Sequence, residues 1–214
     1  MRIFCFGDSI TYGKWDAEYC GWVQRLRRFL DKNWEIYGDN LVYNLGVSGD
    51  TTKNLLTRFE FEIEQRLKEG KEVLIIFDIG INDSLFFLKE NKNNVPIEEF
   101  KSNLQKLIKL AKKFSSKIIF IEQTPVNEEK TVPLLWDSNK VYKNEFIEKY
   151  NKVIKDICLQ NKVYFVEVYK EFKNSNYKNL LDKDDGVHLN EKGHQRVFEI
   201  VKDFLINKLH IFVK

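Results

Sequence analysis

The chain has 214 residues, of which 43% are hydrophobic and 14% aromatic, so it can form a domain with a full hydrophobic core. This composition excludes the disordered, collagen-like and disulfide-scaffold classes. Its 35 Lys and Arg residues against 32 Asp and Glu give a net charge of +3, too small and too dispersed to indicate a nucleic-acid partner. Three cysteines without a Cys-x-x-Cys spacing predict neither a disulfide framework nor a zinc site.

Five short apolar segments, rich in β-branched and aromatic residues, predict the strands of a parallel sheet. They are residues 3–6, 41–45, 73–79, 118–122 and 163–168. Stretches with helical periodicity separate them, and the last helix is expected to begin after Asn190 as its N-cap. Strands that alternate with helices predict a flavodoxin-like three-layer α/β/α sandwich with a five-stranded parallel sheet, in a single domain over residues 1–214.

Two further segments bear on location and ligand binding. The apolar start at residues 1–6 is too short for a signal peptide, and no apolar run reaches the roughly 20 residues that span a bilayer. We therefore expect a cytoplasmic protein without membrane insertion. Residues 123–139 form a long connection after the fourth strand. In open α/β sheets such connections, at the carboxyl ends of strands, are where ligands bind.

Candidate polar groups follow the first three predicted strands. Ser9 leaves the first strand through Gly7-Asp8 and enters a helical stretch, which would expose its hydroxyl group and leave its backbone N–H unpaired. Gly46 follows the second strand, where a missing side chain lets the backbone approach a ligand. Asn82 follows the third, and its amide could donate to an oxyanion. Taken singly, each segment is more typical of a turn or a helix cap.

A second serine, Ser48, competes with Ser9 as the candidate nucleophile. The stretch Gly46-Val47-Ser48-Gly49 is similar to the Gly-x-Ser-x-Gly elbow of the α/β-hydrolases, but its second glycine comes one position early. We therefore predict Ser9, and not Ser48, as the nucleophile.

Of the three histidines, His188 has the acidic neighbour that catalysis requires. Asp185 lies three residues earlier, so its carboxylate can fold back in one turn, orient the imidazole and stabilise the imidazolium. His194 has Glu191 at the same offset, but we expect these two to form a solvated pair within the last helix. His210 lies in the C-terminal tail without a nearby carboxylate. Three unclustered histidines also predict no metal site.

Together these groups supply a nucleophile, a base, an orienting carboxylate and oxyanion donors, the requirements of acyl transfer. They stand in four blocks: Gly7-Asp8-Ser9, Gly46, Gly80-Ile81-Asn82-Asp83 and Asp185-Gly186-Val187-His188. In these blocks and their order, over almost the whole chain, the sequence resembles the SGNH (GDSL-type) serine hydrolases. The resemblance implies the sheet order 2-1-3-4-5 and hydrolase activity without a metal or organic cofactor.

The resemblance also implies a role for each site residue. Ser9 would attack an ester carbonyl, His188 would take its proton as general base, and Asp185 would orient His188. The oxyanion hole would consist of the backbone N–H groups of Ser9 and Gly46 and the side-chain amide of Asn82.

The substrate is less defined by the sequence than the reaction. Four aromatic residues near strand exits could line an acyl pocket or simply pack in the core: Trp15, Phe86, Phe87 and Trp136. We favour a short-chain carboxylic ester, a small-molecule substrate, over the lysophospholipase, acyl-thioesterase and sugar O-deacetylase activities of the same family. A non-catalytic flavodoxin-like binding module is the alternative from another class, although the chain lacks phosphate-binding motifs.

Overall fold

The computed structural model describes residues 1–210 and contains eight strands in that range. In chain order they are β1 (Arg2–Gly7), β2 (Leu41–Gly46), β3 (Val73–Asp78), β4 (Phe86–Phe87), β5 (Lys92–Asn93), β6 (Lys117–Ile121), β7 (Lys140–Val141) and β8 (Tyr164–Val166). The main sheet is parallel and has the order β2-β1-β3-β6-β8. Its strands are the five predicted segments to within a few residues. Counted along this sheet, the order is 2-1-3-4-5, which confirms the predicted fold.

Ten α-helices connect and cover these strands within the same range. They are α1 (Ser9–Tyr12), α2 (Trp22–Lys32), α3 (Trp34–Tyr37), α4 (Thr52–Glu64), α5 (Ile81–Ser84), α6 (Ile97–Ala111), α7 (Glu128–Thr131), α8 (Asn144–Asn161), α9 (Tyr169–Lys173) and α10 (Glu191–Asp203). A 3₁₀ turn at Tyr177–Leu180 precedes α10, and a π-helical turn at Phe204–Lys208 follows it. The predicted N-cap of the last helix is confirmed, because Asn190 Oδ1 accepts the first backbone N–H groups of α10. Among residues 1–210, no helix combines the length and the apolar character that crossing a bilayer requires.

The central strands β1, β3 and β6 are buried on both faces because nearly all of their residues are apolar. Along β1, Ile3 and Cys5 pack with α2 and α10, whereas Phe4 and Phe6 pack with α4, α6 and α8. Successive side chains of a strand point to opposite faces, so one continuous apolar run fills two separate cores. The two cores hold the sheet between two helical layers.

The strand register aligns the exits that carry the candidate site. Gly7, the last residue of β1, pairs with Gly46 at the end of β2 and with Asp78 at the end of β3. Because parallel strands end at the same edge, the segments that follow β1, β2 and β3 meet there. That edge collects Ser9, Gly46 and Asn82.

A second, three-stranded antiparallel sheet has the order β5-β4-β7 and was not predicted from the sequence. Its two-residue strands are too short to give a period-2 pattern, so only the folded chain reveals their pairing. The 123–139 connection contains α7 and leads into β7. This small sheet therefore brings the long connection to the neighbourhood of α5 and Asn82.

Candidate active site

Ser9 occupies a tight turn between β1 and α1. A Cβ at Gly7 would lie 2.0 Å from the Thr11 hydroxyl oxygen and 2.2 Å from the Asp78 carbonyl oxygen, so only glycine fits at this position. Asp8 caps α1 by accepting the Ile10 N–H at 2.9 Å. Ser9 is the first residue of the helix, and the first N–H groups of a helix have no partner within it.

Ser9, His188 and Asp185 form a continuous hydrogen-bonded chain although Ser9 lies far from the other two in sequence. Ser9 Oγ is 2.8 Å from His188 Nε2, and His188 Nδ1 is 2.7 Å from Asp185 Oδ2. When Nδ1 donates to the carboxylate, Nε2 carries a lone pair that can accept the serine proton. Burial raises the pKa of Asp185, but hydrogen bonds and charge from His188 outweigh it and hold that pKa well below its ordinary value.

The turn that presents His188 is held by its own acidic residues. Asp185 Oδ1 accepts the backbone N–H groups of Val187 and His188 at 2.8 and 2.9 Å. Asp182 Oδ1 accepts the backbone N–H groups of Asp184 and Asp185, and the His188 carbonyl accepts the Asp182 N–H at 2.7 Å. These bonds hold the turn in the conformation that places the Asp185 carboxylate beside the His188 imidazole.

The Asn82 amide is oriented by two partners. Its Oδ1 accepts the Tyr142 hydroxyl at 2.8 Å, and its Nδ2 donates to the Asp50 carbonyl at 3.0 Å. Nδ2 carries two hydrogens, so one remains for a ligand in the cavity that Asn82 lines together with Ser9. Tyr142 was missed by sequence reasoning, because nothing local links a tyrosine after the 123–139 connection to an asparagine 60 positions earlier.

Gly46 lies where β2 closely approaches α1, and its backbone N–H is already hydrogen-bonded. A Cβ here would lie 2.2 Å from the Tyr12 backbone nitrogen, so the close approach of β2 to α1 requires glycine. Its N–H donates to Asn44 Oδ1 at 3.0 Å, and Asn44 is itself held by donating to the Thr11 carbonyl at 2.9 Å. The N–H expected in the oxyanion hole therefore already has an acceptor.

Buried carboxyl groups brace the loops beneath the site. Asp83 accepts the Thr52 N–H at 3.0 Å, and Asp78 accepts hydrogen bonds from the Thr11 hydroxyl and the Trp22 indole. Burial raises the pKa of Asp83 to about 7 and that of Asp78 to about 6. These groups lie outside the Ser9–His188–Asp185 chain and bind loops at the strand ends.

A small cavity of about 150 Å³ lies beside Ser9. Its polar wall includes Ser9, Asn82 and His188. Its apolar wall is supplied by Ile10, Ile81, Leu85, Leu134, Trp136 and Val187. An apolar wall next to a hydroxyl that is hydrogen-bonded to an imidazole, and next to an amide donor, suits the acyl group of an ester.

The four aromatic residues predicted near the substrate have three different environments. Trp136 lines the cavity, as expected. The Trp15 indole N–H donates to Asp185 Oδ2 at 2.8 Å. Phe86 and Phe87 belong to β4 and are not among the cavity residues; the Phe86 ring stacks on Phe146 with centroids 5.0 Å apart. Their positions do not support substrate contact, because strand pairing directs them into the small sheet.

The remaining rival residues lie apart from the site. Ser48 is exposed on the loop after β2, and His210 is exposed near the end of the described chain. The expected solvated pair of His194 and Glu191 is wrong. His194 is fully buried beneath the loop after α1, where its Nε2 donates to the Lys14 carbonyl at 3.2 Å. The helix turns this histidine toward the core, which the spacing to an acidic residue does not reveal.

We expect His194 to make the protein sensitive to acid. Burial lowers its pKa from 6.5 to about 4, so below pH 6.5 the unfolded chain binds a proton that the folded chain does not bind. The contribution of neutral His194 to the free energy of unfolding is therefore complete above pH 6.5 and is lost as the pH falls toward 4. Between pH 7 and pH 5, protonation of His194 should lower the unfolding free energy of wild type by roughly 2 kcal/mol, and His194→Gln should lack this part of the fall. Urea unfolding at both pH values measures it, and the exposed His210→Gln variant should behave as wild type; an unchanged pH dependence in His194→Gln would contradict the assignment.

The sequence also matches known proteins over most of its length. The GDSL-like Lipase/Acylhydrolase family model matches residues 5–196. The human isoamyl acetate-hydrolyzing esterase 1 homolog is 25% identical over 92% of this chain and 78% of its own length. An acetylxylan esterase from Geobacillus stearothermophilus is also 25% identical, over 90% of this chain and 88% of its own.

Solved structures show the same architecture. A lipase/acylhydrolase from Enterococcus faecalis superposes with a TM-score of 0.74 over 97% of this chain and 96% of its own, at 22% identity. Axe2, an acetylxylan esterase from Geobacillus stearothermophilus, gives 0.71 over 100% and 96%, also at 22% identity. The fold, the family model and the esterase relatives agree. The chain belongs to the GDSL-like lipase/acylhydrolase (SGNH) family and is a carboxylic ester hydrolase.

Proposed function

We propose that this enzyme hydrolyses esters of short acyl groups through a covalent acyl-enzyme formed on Ser9. The observation that carries the proposal is the hydrogen-bonded chain from Ser9 Oγ through His188 to Asp185. Ser9 attacks the ester carbonyl as His188 Nε2 takes its proton, and His188 then protonates the leaving alcohol. A water molecule activated by His188 attacks the acyl-enzyme and releases the acid, which restores Ser9.

The negative charge on the tetrahedral carbonyl oxygen requires donors already in place. The Ser9 backbone N–H and the second hydrogen of Asn82 Nδ2 serve as two of them. The Gly46 N–H already donates to Asn44 Oδ1. It serves as the third donor by sharing its hydrogen between Asn44 Oδ1 and the oxyanion. Of the three donors, the Asn82 amide stabilises the oxyanion most, because Tyr142 and Asp50 hold its plane in position.

A short acyl group is favoured by the size of the cavity. A cavity of about 150 Å³ has room for a benzene-sized molecule, which corresponds to roughly six heavy atoms. Acetyl through about hexanoyl groups therefore fit between Ile81, Leu134 and Trp136, and long acyl chains do not. Two relatives, named an isoamyl acetate-hydrolyzing esterase 1 homolog and an acetylxylan esterase, support acetyl as the acyl group.

Labelling with a fluorophosphonate tests the nucleophile directly. Wild type and Ser9→Ala are treated in parallel and the adduct is located by peptide mapping. An adduct on Ser9 that is absent from the variant supports the proposal. An adduct on Ser48, or none on folded protein, overturns it, and the second result would favour a non-catalytic binding module.

Removing the oxyanion amide should slow the reaction strongly. We expect Asn82→Ala to lower kcat about 10²–10³-fold, because one preorganised donor stabilises the transition state by roughly 3–4 kcal/mol. Tyr142→Phe leaves the amide in place without its hydroxyl partner, so its loss should be smaller. Steady-state kinetics with p-nitrophenyl acetate measure both, and circular dichroism checks folding. A kcat for Asn82→Ala within twofold of wild type would remove Asn82 from the oxyanion hole.

Opening the cavity should broaden the acyl preference. Trp136→Ala removes one wall, so we expect kcat/KM for an octanoate ester relative to an acetate ester to rise by roughly tenfold. Trp34→Ala is a matched control, since Trp34 is 61% exposed and Trp136 59%, but Trp34 lies on α3 away from the cavity. An unchanged ratio in Trp136→Ala would mean that the acyl group lies elsewhere.

A further inference from the structure

The Asp185 carboxylate receives four hydrogen bonds, one for each of its lone-pair directions. Oδ1 accepts the backbone N–H groups of Val187 and His188, and Oδ2 accepts His188 Nδ1. The fourth donor is the indole Nε1 of Trp15, at 2.8 Å from Oδ2 and 170 positions away in the chain. Three of the donors come from the local turn, and Trp15 alone reaches it from another element.

We propose that Trp15 is a positioning residue that fixes the Asp185 carboxylate and, through it, the orientation of His188. This inference rests on the proposed function, because it assigns a task to Trp15 in the Ser9–His188–Asp185 chain. The same oxygen, Oδ2, bonds both the Trp15 indole and the His188 imidazole. With both oxygens engaged, rotation of the carboxylate breaks at least two hydrogen bonds at once.

The backbone at Trp15 is held in an unfavourable conformation. Its φ is 69°, in the left-handed region that a bulky side chain rarely adopts. The preceding residue, Lys14, is fixed on both sides: its N–H donates to the Ser9 carbonyl at 3.0 Å, and its carbonyl accepts His194 Nε2 at 3.2 Å. The loop that carries the indole is therefore tied to the nucleophile and to a buried histidine of α10.

The following residue completes the anchoring. The Asp16 carboxylate accepts three backbone N–H groups within residues 18–21 and forms a buried ion pair with Arg25. A buried, fully bonded carboxylate resists movement, because breaking any partner leaves a charge uncompensated. Trp15 is thus held between two anchored neighbours, and this explains how its strained φ persists.

Packing alone does not account for this arrangement. The Trp15 side chain is 54% exposed, so burial of its ring contributes little, yet its polar atom is directed at the catalytic carboxylate. Mutation of a residue that orients Asp185 should lower kcat, since orientation of the base matters in the transition state. Mutation of a residue that only contacts substrate should raise KM, and by the same factor whether or not Asp185 is present.

The first test is a double-mutant cycle with Trp15→Phe, which removes the N–H and keeps an aromatic ring. A hydrogen bond to a charged group predicts a kcat about tenfold lower with KM nearly unchanged on p-nitrophenyl acetate. In the Asp185→Asn background, the same change should lower kcat less than twofold. Trp34→Phe is the matched control and should match wild type. Equal losses in both backgrounds, or a rise in KM alone, would overturn the proposal.

The second test reads the hydrogen bond without activity. The chain has four tryptophans, so four indole N–H signals are expected in ¹⁵N-labelled protein, and Trp15→Phe identifies the one from Trp15. In Asp185→Ala, that signal should shift and exchange faster with water, while the Trp34 signal stays unchanged. An unaffected Trp15 signal would overturn the proposed bond. If the bond is present but Ser9→Ala retains activity, the proposed function fails and not the contact itself.

Discussion

Replacing Ser9 with alanine is expected to lower kcat by about 10⁶-fold. In the proposed mechanism Ser9 Oγ forms the covalent bond to the acyl group, and it lies 2.8 Å from His188 Nε2, the proposed base. His188→Ala should cost about as much, because nucleophile and base act as a unit and either loss stops acyl transfer.

The control for this prediction is Ser48→Ala. Ser48 is exposed on the loop after β2, so its loss should leave kcat unchanged. Initial rates on p-nitrophenyl acetate, measured on protein whose fold has been checked by circular dichroism, separate the two serines. Activity that is retained in Ser9→Ala, or lost in folded Ser48→Ala, would contradict the mechanism with Ser9 as nucleophile.

Asp185→Asn is expected to lower kcat by about 10⁴-fold while the fold stays intact. The amide group can donate to His188 Nδ1, and the imidazole would then carry its proton on Nε2 facing Ser9. In that tautomer Nε2 has no lone pair for the serine proton, so the base is present but inactive. The hydrogen bonds that hold the pKa of Asp185 low favour its charged form, which asparagine does not have.

A neighbouring acid provides the matched comparison for Asp185. Asp184 is exposed and one position away, so Asp184→Asn removes the same charge without touching His188. Its kcat should equal that of wild type. Comparable losses in Asp184→Asn and Asp185→Asn would indicate a general effect of net charge in place of a specific hydrogen bond.

The architecture could be predicted because its signals are local. Each main strand is a predominantly apolar run, and each long helix repeats apolar residues along one face, so these patterns identify them. The motif residues were equally accessible, since Ser9, Gly46 and Asn82 directly follow strands whose ends the parallel register brings together. The offset between Asp185 and His188 is itself a local turn.

Contacts between distant segments could not be predicted in the same way. The partners Tyr142 and Asn82, and Trp15 and Asp185, are 60 and 170 positions apart, and no local pattern joins them. The burial of His194 depends on the angle at which α10 packs, which the spacing to Glu191 does not encode. The pairing of Phe86 and Phe87 in β4 could not be predicted for a related reason, because a two-residue strand is too short to give a recognisable pattern.

The sequence by itself determined the parallel α/β sheet, the family and the residues that we propose for the active site. Only the tertiary structure decided how those residues are held: the orientation of the Asn82 amide, the competing acceptor at Gly46, the fourth hydrogen bond on Asp185 and the size of the acyl cavity. The physical reason is the range of the interactions. Strand and helix patterns arise from neighbours along the chain, whereas side-chain orientation and cavity shape arise from segments that meet only after the chain has folded.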